Sequence, residues 1–309
     1  MNILVTGGSG FVGSNILKSL PDSFNIRSTW YNKPPIFKKL NLEYIKGDLR
    51  DRVFCQHVCQ NMDCVIMAAA ETSGAYDIEN NPLIHVTPNV IINSNMLEAS
   101  YSANVKKFIF ISSNTVYPDS PLPMKEEDIN YSFFHKYYCV GWMKLFSEIL
   151  CKMYSTKIPN PMVTVILRPA NLYGPGDNFN ERTSHVIPSL IIRASKKEDP
   201  FVVWGDGNDE KDFLYIDDFV NAIIKSINIK EHNTFNIGSG RTESIHNIVQ
   251  YIFDILNFYP QVKFDNAKPR MISKRVLDIS KIRDIGFMPT MDIKSGLFKT
   301  VEWFLQNVT

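Results

Sequence analysis

Ile3-Leu4-Val5-Thr6-Gly7-Gly8-Ser9-Gly10-Phe11-Val12-Gly13 passes from an apolar run into a glycine-rich turn with nothing between them. A buried strand is therefore expected to feed straight into a helix. In such a turn Gly7 permits a tight reversal, Gly10 lets backbone amides approach a pyrophosphate, and Gly13 lets the helix lie close to the sheet. The amides at the helix start, those of Phe11 and Val12 among them, then hold the anion. Glycines at this spacing also occur in turns that serve packing alone; it is their place after the opening strand that points to a dinucleotide.

Moving outward, a first helix is expected over about Gly13 to Leu20 and a second strand over Asn25–Tyr31. The end of that strand normally carries an acidic residue for the cofactor's ribose. Here it carries Asn32 and Lys33, with Arg27 nearby, which leaves NADP and NAD both open. A third strand, Leu42–Gly47, leads to Asp48-Leu49. A fourth, Cys64–Ala70, ends in small residues against which a flat cofactor can lie, and Lys107–Ser113 is a continuously apolar fifth. Strands of that character, alternating with helices near Asn89–Ala103 and Tyr137–Tyr154, predict an α/β fold: a doubly wound Rossmann parallel sheet with a smaller C-terminal α/β substrate lobe. Residues 1–168 with about 212–235 are expected to form the dinucleotide-binding domain. About 169–211 with 236–309 form the second lobe.

Composition narrows the function classes. With 33 basic and 32 acidic residues and no basic block, nothing favours nucleic acid or an anionic membrane surface. There is no cationic leader and no apolar run long enough to span a bilayer, so a cytoplasmic protein is expected. Cys55, Cys59, Cys64, Cys139 and Cys151 lack paired spacing, and no metal site is expected.

Further motifs recur in fixed order. They are Asp48-Leu49, Ala69-Ala70, Ser112-Ser113 before Val116-Tyr117, Arg168-Pro-Ala-Asn171 with Tyr173-Gly-Pro175, and Asp212-Phe-Leu-Tyr-Ile-Asp217. On these the chain resembles the extended short-chain dehydrogenase/reductase family of nucleotide-sugar epimerases, dehydratases and reductases. Asn171–Phe179, Ser184–Pro188 and Val203–Gly207 are similar to its GDP-L-fucose synthase branch. The resemblance implies a cofactor site that takes in Asp48, Leu49, Ala69 and Ala70. It also implies a nucleotide-sugar site built from Asn171, Val186, Arg193, Trp204 and Arg275, chemistry at carbon 4 for surface polysaccharide, and a homodimer.

Family chemistry uses a serine with a Tyr-x-x-x-Lys pair, which spacing puts on one helical face about 6 Å apart. Ser113 and Lys144 match, but the tyrosine position is Val140. Tyr138 is the expected substitute, with Tyr137 the other phenol at hand. The fucose-synthase epimerisation pair, a cysteine and a histidine, corresponds to Thr115 and His185. A threonine is a poor carbon-acid base, so reduction or 4-epimerisation is favoured over 3,5-epimerisation. A member that binds both ligands without turnover is the alternative.

Overall fold

The computed structural model describes residues 1–72, 81, 83–268 and 272–308. Strands β1 (Asn2–Val5), β2 (Asn25–Trp30), β3 (Leu42–Lys46), β4 (Cys64–Met67), β5 (Lys107–Ile111) and β6 (Val163–Pro169) follow in chain order. After them come β7 (Asn171–Tyr173), β8 (Phe201–Trp204), β9 (Glu210–Lys211), β10 (Phe213–Tyr215), β11 (Asn233–Ile237), β12 (Glu243–Ser244), β13 (Val262–Asp265) and β14 (Lys274–Arg275). The helices are α1 (Phe11–Ser19), α2 (Arg52–Cys59), α3 (Leu83–Ser102), α4 (Tyr138–Thr156), α5 (Val186–Ser195), α6 (Ile216–Ser226), α7 (Ile245–Leu256), α8 (Ser280–Arg283) and α9 (Ile293–Asn307).

Seven parallel strands form the main sheet in the order β11-β6-β5-β4-β1-β2-β3. The chain winds one way from β1 to β3 and the other way from β4 onward, so the order reverses between β1 and β4. Such a reversal opens a crevice at the carboxyl ends of the strands. Ile3, Leu4 and Val5 have no exposed surface. Ile3 and Val5 pack on one face with Ile16 and Leu17 of α1, while Leu4 packs on the other with Cys55 and Val58 of α2 and Met96 of α3. Burial on both faces is the reason these strands read as unbroken apolar runs.

The remaining strands make three small sheets, β7 with β10, β8 with β13, and β9 between β12 and β14. Strand β11 runs to Ile237 and belongs to the main sheet, slightly past the expected boundary at 235. Helix α3 starts at Leu83, earlier than expected, and takes in Pro88. Pro88 lies past the first turn, where it removes the backbone bond to the Ile84 carbonyl and its ring crowds that carbonyl. The described cysteines are free thiols; burial pushes Cys55 and Cys64 up to about 12 and Cys59 to about 11. No helix among the described residues is long and apolar enough to cross a membrane.

Candidate active site

The glycine turn is built by exclusion of side chains. Gly7 has φ +69°, and a Cβ there would stand 2.8 Å from the Ala69 Cα. A Cβ on Gly13 would stand 2.2 Å from the Gly7 carbonyl oxygen, so only glycine lets α1 begin this close to β1. Thr6 Oγ1 accepts the amides of Ala68 and Ala69, both at 3.0 Å, and so pins the end of β4 against the turn. Gly10 precedes α1 and gives it no side-chain cap, while Gly10, Phe11, Val12 and Ala70 reach the surface. Uncapped amides at a helix start suit an anion, and the flat floor of alanines suits a ring system, so these residues fit a dinucleotide.

At the outer end of this crevice Tyr31, Asn32 and Lys33 are exposed and Leu49 is buried. Asp48 pairs with Arg50 at 2.6 Å, which holds its carboxyl below the usual range. The Arg50 guanidinium lies 5.6 Å from the Tyr31 ring centre and donates to its hydroxyl at 3.3 Å.

Ser113 follows β5 and caps the short 3-10 turn Asn114–Val116. Its Oγ accepts the Thr115 amide at 3.1 Å and the Thr115 hydroxyl at 3.0 Å. With Ser113 Oγ accepting twice inside the turn, its own proton can be donated to a carbonyl or hydroxyl of a ligand. Lys144 Nζ donates to the Ile111 carbonyl at 2.9 Å, at the same strand end. Burial lowers its pKa to about 8, opposed by the charge of Glu148 one turn along.

Tyr138 does not join Ser113 and Lys144. It stands about 120° around the helix from Lys144, its ring is 56% exposed, and it meets Phe133 and Trp142 edge-on. Here the expected substitute is corrected by helix geometry: six residues carry a side chain onto another face. Tyr137 lies outside the helix, as the last residue of the 3-10 segment His135–Tyr137. Burial pushes its phenol up to about 12, offset in part by the Arg275 guanidinium. Val140 is half-buried, next to Gly141, where a Cβ would stand 2.8 Å from the Thr115 carbonyl.

On the other side of the cleft, Asn171 donates to the Asp212 carbonyl through both its backbone and its side-chain amide, each at 3.0 Å. His185 and Val186 open α5 with exposed surface, and desolvation lowers the His185 pKa. Trp204 is 53% exposed at the end of β8, with Lys268 Nζ 5.9 Å from its ring centre. It is a platform and not core. The two arginines expected at the diphosphate are committed elsewhere. Arg275 is buried and donates to the carbonyls of Pro118 at 2.7 Å and Tyr117 at 3.4 Å. Arg193 is bound to Glu198 and to the Val202 carbonyl, both at 2.7 Å. Each fixes a loop beside the cleft in this conformation because carbonyls lie within reach of its planar fork.

The profile of the NAD dependent epimerase/dehydratase family matches residues 3–238. The chain belongs to that family. It is 28% identical to the GDP-L-fucose synthase of Escherichia coli, covering 99% of this chain and 97% of that one. It is 29% identical to the GDP-L-colitose synthase of Yersinia pseudotuberculosis over 99% of both chains. The crystal structure of Thermotoga maritima UDP-glucose 4-epimerase with UDP-glucose superposes with a TM-score of 0.89, at 25% identity and over all of both chains. The chain is thus an enzyme of the nucleotide-sugar epimerase/reductase type, with a nicotinamide dinucleotide as its cofactor.

Around this family site lie motif residues to which the sequence assigned no role. Glu148 and Arg168 pair at 2.6 Å beneath Ser112, and Arg168 also donates to the Tyr117 hydroxyl at 2.8 Å. In the loop after β7, Asp177 Oδ2 and Ser184 Oγ are buried with no hydrogen-bond partner among the described residues. Asn178 bridges the two arms of that loop by donating to Thr183 Oγ1 at 2.9 Å. The signal in the sequence was Gly174-Pro175-Gly176, a turn that puts the next residue inside.

Proposed function

We propose that the chain works at carbon 4 of a nucleotide-activated keto-deoxysugar, GDP-linked, as a reductase or 4-epimerase in surface polysaccharide precursor synthesis. The observation that carries this reading is the junction of Ser113, polarised by Thr115, with Lys144 at the end of β5. When bound, the nicotinamide supplies or takes the hydride. Ser113 Oγ donates to the sugar oxygen at carbon 4, Lys144 supplies positive charge beneath it, and His185 orients a sugar hydroxyl from the opposite wall. Gly7, Gly10, Phe11, Val12, Gly13, Ala69 and Ala70 would hold the cofactor, with Asn32, Lys33, Asp48 and Leu49 at its ribose and base. Asn171, Val186 and Trp204 would line the sugar-nucleotide side.

Similarity to the GDP-L-fucose and GDP-L-colitose synthases supports the guanine nucleotide. Thr115 disfavours proton abstraction at the neighbouring carbons. Tyr138, Trp142, Phe146, Ile149 and Met153, all exposed, form an apolar stripe along α4 that supports pairing with a second copy of the chain. A cytoplasmic enzyme is consistent with these parts.

The test is to follow absorbance of the reduced cofactor, NADPH and NADH separately, with GDP- and UDP-linked 4-keto-deoxysugars. Oxidation with the GDP sugar is expected. Binding of both ligands without any oxidation would support the alternative favoured by Val140, a member that binds and does not turn over.

A further inference from the structure

The site has a proton donor missing from the place where family chemistry expects it, and the phenols nearby do not fill the gap. Tyr138 faces outward on the aromatic patch with Phe133 and Trp142. Tyr137 precedes α4, in the 3-10 segment His135–Tyr137, and the charge beside its buried phenol is the Arg275 guanidinium. Valine at 140 carries no exchangeable proton. Lys144 itself is the titratable group that reaches the strand end beside Ser113, with its Nζ on the Ile111 carbonyl.

The surroundings of Lys144 leave it free for this task. From its own helix Glu148 faces it, but that carboxylate is taken up by Arg168 of β6 and by the Ser112 hydroxyl. From β5, among the described residues, come the Ile111 carbonyl and the Phe110 ring, 5.2 Å from Nζ. Lys144 is therefore a desolvated ammonium, and the carboxylate that faces it among the described residues, Glu148, is already held by Arg168 and Ser112. Desolvation of that kind brings a lysine into the range where it exchanges protons near neutral pH.

On the reading of a carbon-4 oxidoreductase, the geometry points to Lys144 as the acid/base itself, with no tyrosine in the proton path. In reduction, hydride from the nicotinamide dinucleotide adds to carbon 4 and the carbonyl π electrons move onto its oxygen. That oxygen takes a proton from Lys144 Nζ, leaving a neutral amine that is reprotonated from solvent. Ser113 Oγ donates a hydrogen bond to the same oxygen throughout. In the reverse direction the neutral amine takes the hydroxyl proton as hydride leaves carbon 4. A general acid of this kind contributes about 10²- to 10⁴-fold.

The experiment compares wild type, Lys144→Arg, and the double variant Tyr137→Phe with Tyr138→Phe. Lys144→Arg keeps the charge but cannot give up a proton near neutrality. It is expected to lose at least about 100-fold in kcat. NADPH affinity, read by fluorescence quenching, should stay within about threefold. The double phenol variant is expected to keep its rate within about twofold, with the same pH profile. A readout free of turnover is the carbon-13 NMR titration of reductively methylated protein. The resonance absent from Lys144→Arg should titrate well below those of surface lysines. Loss of activity in the double phenol variant, retained activity in Lys144→Arg, or a Lys144 resonance titrating with the surface lysines would each overturn the assignment. Wild-type protein inert toward every sugar would instead overturn the oxidoreductase reading on which it rests.

Discussion

Glu148 of α4 and Arg168 of β6 meet in a two-point ion pair, Nε to Oε1 at 3.0 Å and Nη2 to Oε2 at 2.6 Å, with each side chain 5% exposed. It ties the helix that carries Lys144 to the sheet. Removing one partner of a buried pair leaves the other charge uncompensated, at a cost of about 3–5 kcal/mol. Glu148→Ala is expected to lose stability in that range in urea unfolding, and Glu148→Gln less, because the amide still accepts one guanidinium bond. A loss under about 1 kcal/mol in Glu148→Ala would mean that water replaces the carboxylate.

Asp177 gives the fold a pH dependence of unusual sign. Burial pushes its carboxyl up to about 7, and that of Asp212 up to about 6 despite donors from Ser239, Gly240 and Leu277. Both lie above the unfolded value of about 3.9. Between the two values the folded state binds more protons, so the contribution of these groups is full at low pH and is lost as pH rises through 6 to 7. Asp177→Asn keeps an acceptor for the Asn178 amide and removes the ionisation. The urea midpoint of this variant should exceed that of wild type at pH 8 and converge with it near pH 4. Convergence at pH 8 instead would contradict the sign.

Which parts of this arrangement were legible before the fold depends on how local their causes are. The turn at Gly7, Gly10 and Gly13 is decided by contacts within a few residues and with Ala69, so its glycines declare it. That Ser113 and Lys144 come to the end of β5 was legible from motif spacing. The direction of Tyr138 was not, because it depends on where the 3-10 segment His135–Tyr137 gives way to α4. Arg275 looked like a phosphate ligand because arginine serves both purposes. It is held by carbonyls more than 150 residues away in the chain, a relation no local pattern carries. The burial of Asp177 is likewise tertiary: the loop leans on α1, where Asn15 Nδ2 donates to the Pro175 carbonyl at 3.2 Å.

The aromatic stripe on α4 predicts self-association. Trp142 is 36% exposed and packs against Tyr131 and Phe133, so a charge there meets apolar surface in the pair but solvent in the single chain. Trp142→Glu is expected to shift the mass read by light scattering from two chains to one. A wild type of single-chain mass would remove the reason for the stripe.

Arg50 stands at the outer end of the cofactor crevice, stacked on Tyr31, where an adenosine ribose would lie. The end of β2 beside it has no acidic side chain to receive a ribose hydroxyl, and Asp48 after β3 is paired with Arg50 itself. A guanidinium there pairs with a 2'-phosphate through charge-assisted bonds worth about 1.5–3 kcal/mol. Arg50→Ala should weaken NADPH binding about tenfold or more while changing NADH binding little. Equal losses for the two cofactors would show that Arg50 acts only through Asp48.

Val140→Tyr tests the register of the whole site. Residue 140 lies one turn before Lys144, so a phenol there stands about 6 Å from it on the same face. Val140 is half-buried, so a larger side chain there is not confined to the core. The Lys144 ammonium then lowers the phenol's pKa, and the new group competes with Lys144 for the sugar oxygen. The rate of reduction is expected to rise about tenfold or more, and its pH profile to follow the phenol and no longer the amine. In Val140→Tyr combined with Lys144→Arg, activity should partly return, since the charge remains and the phenol supplies the proton. If Val140→Tyr changes neither rate nor profile, residue 140 does not face the reacting carbon and the alignment of α4 with the family helix is wrong.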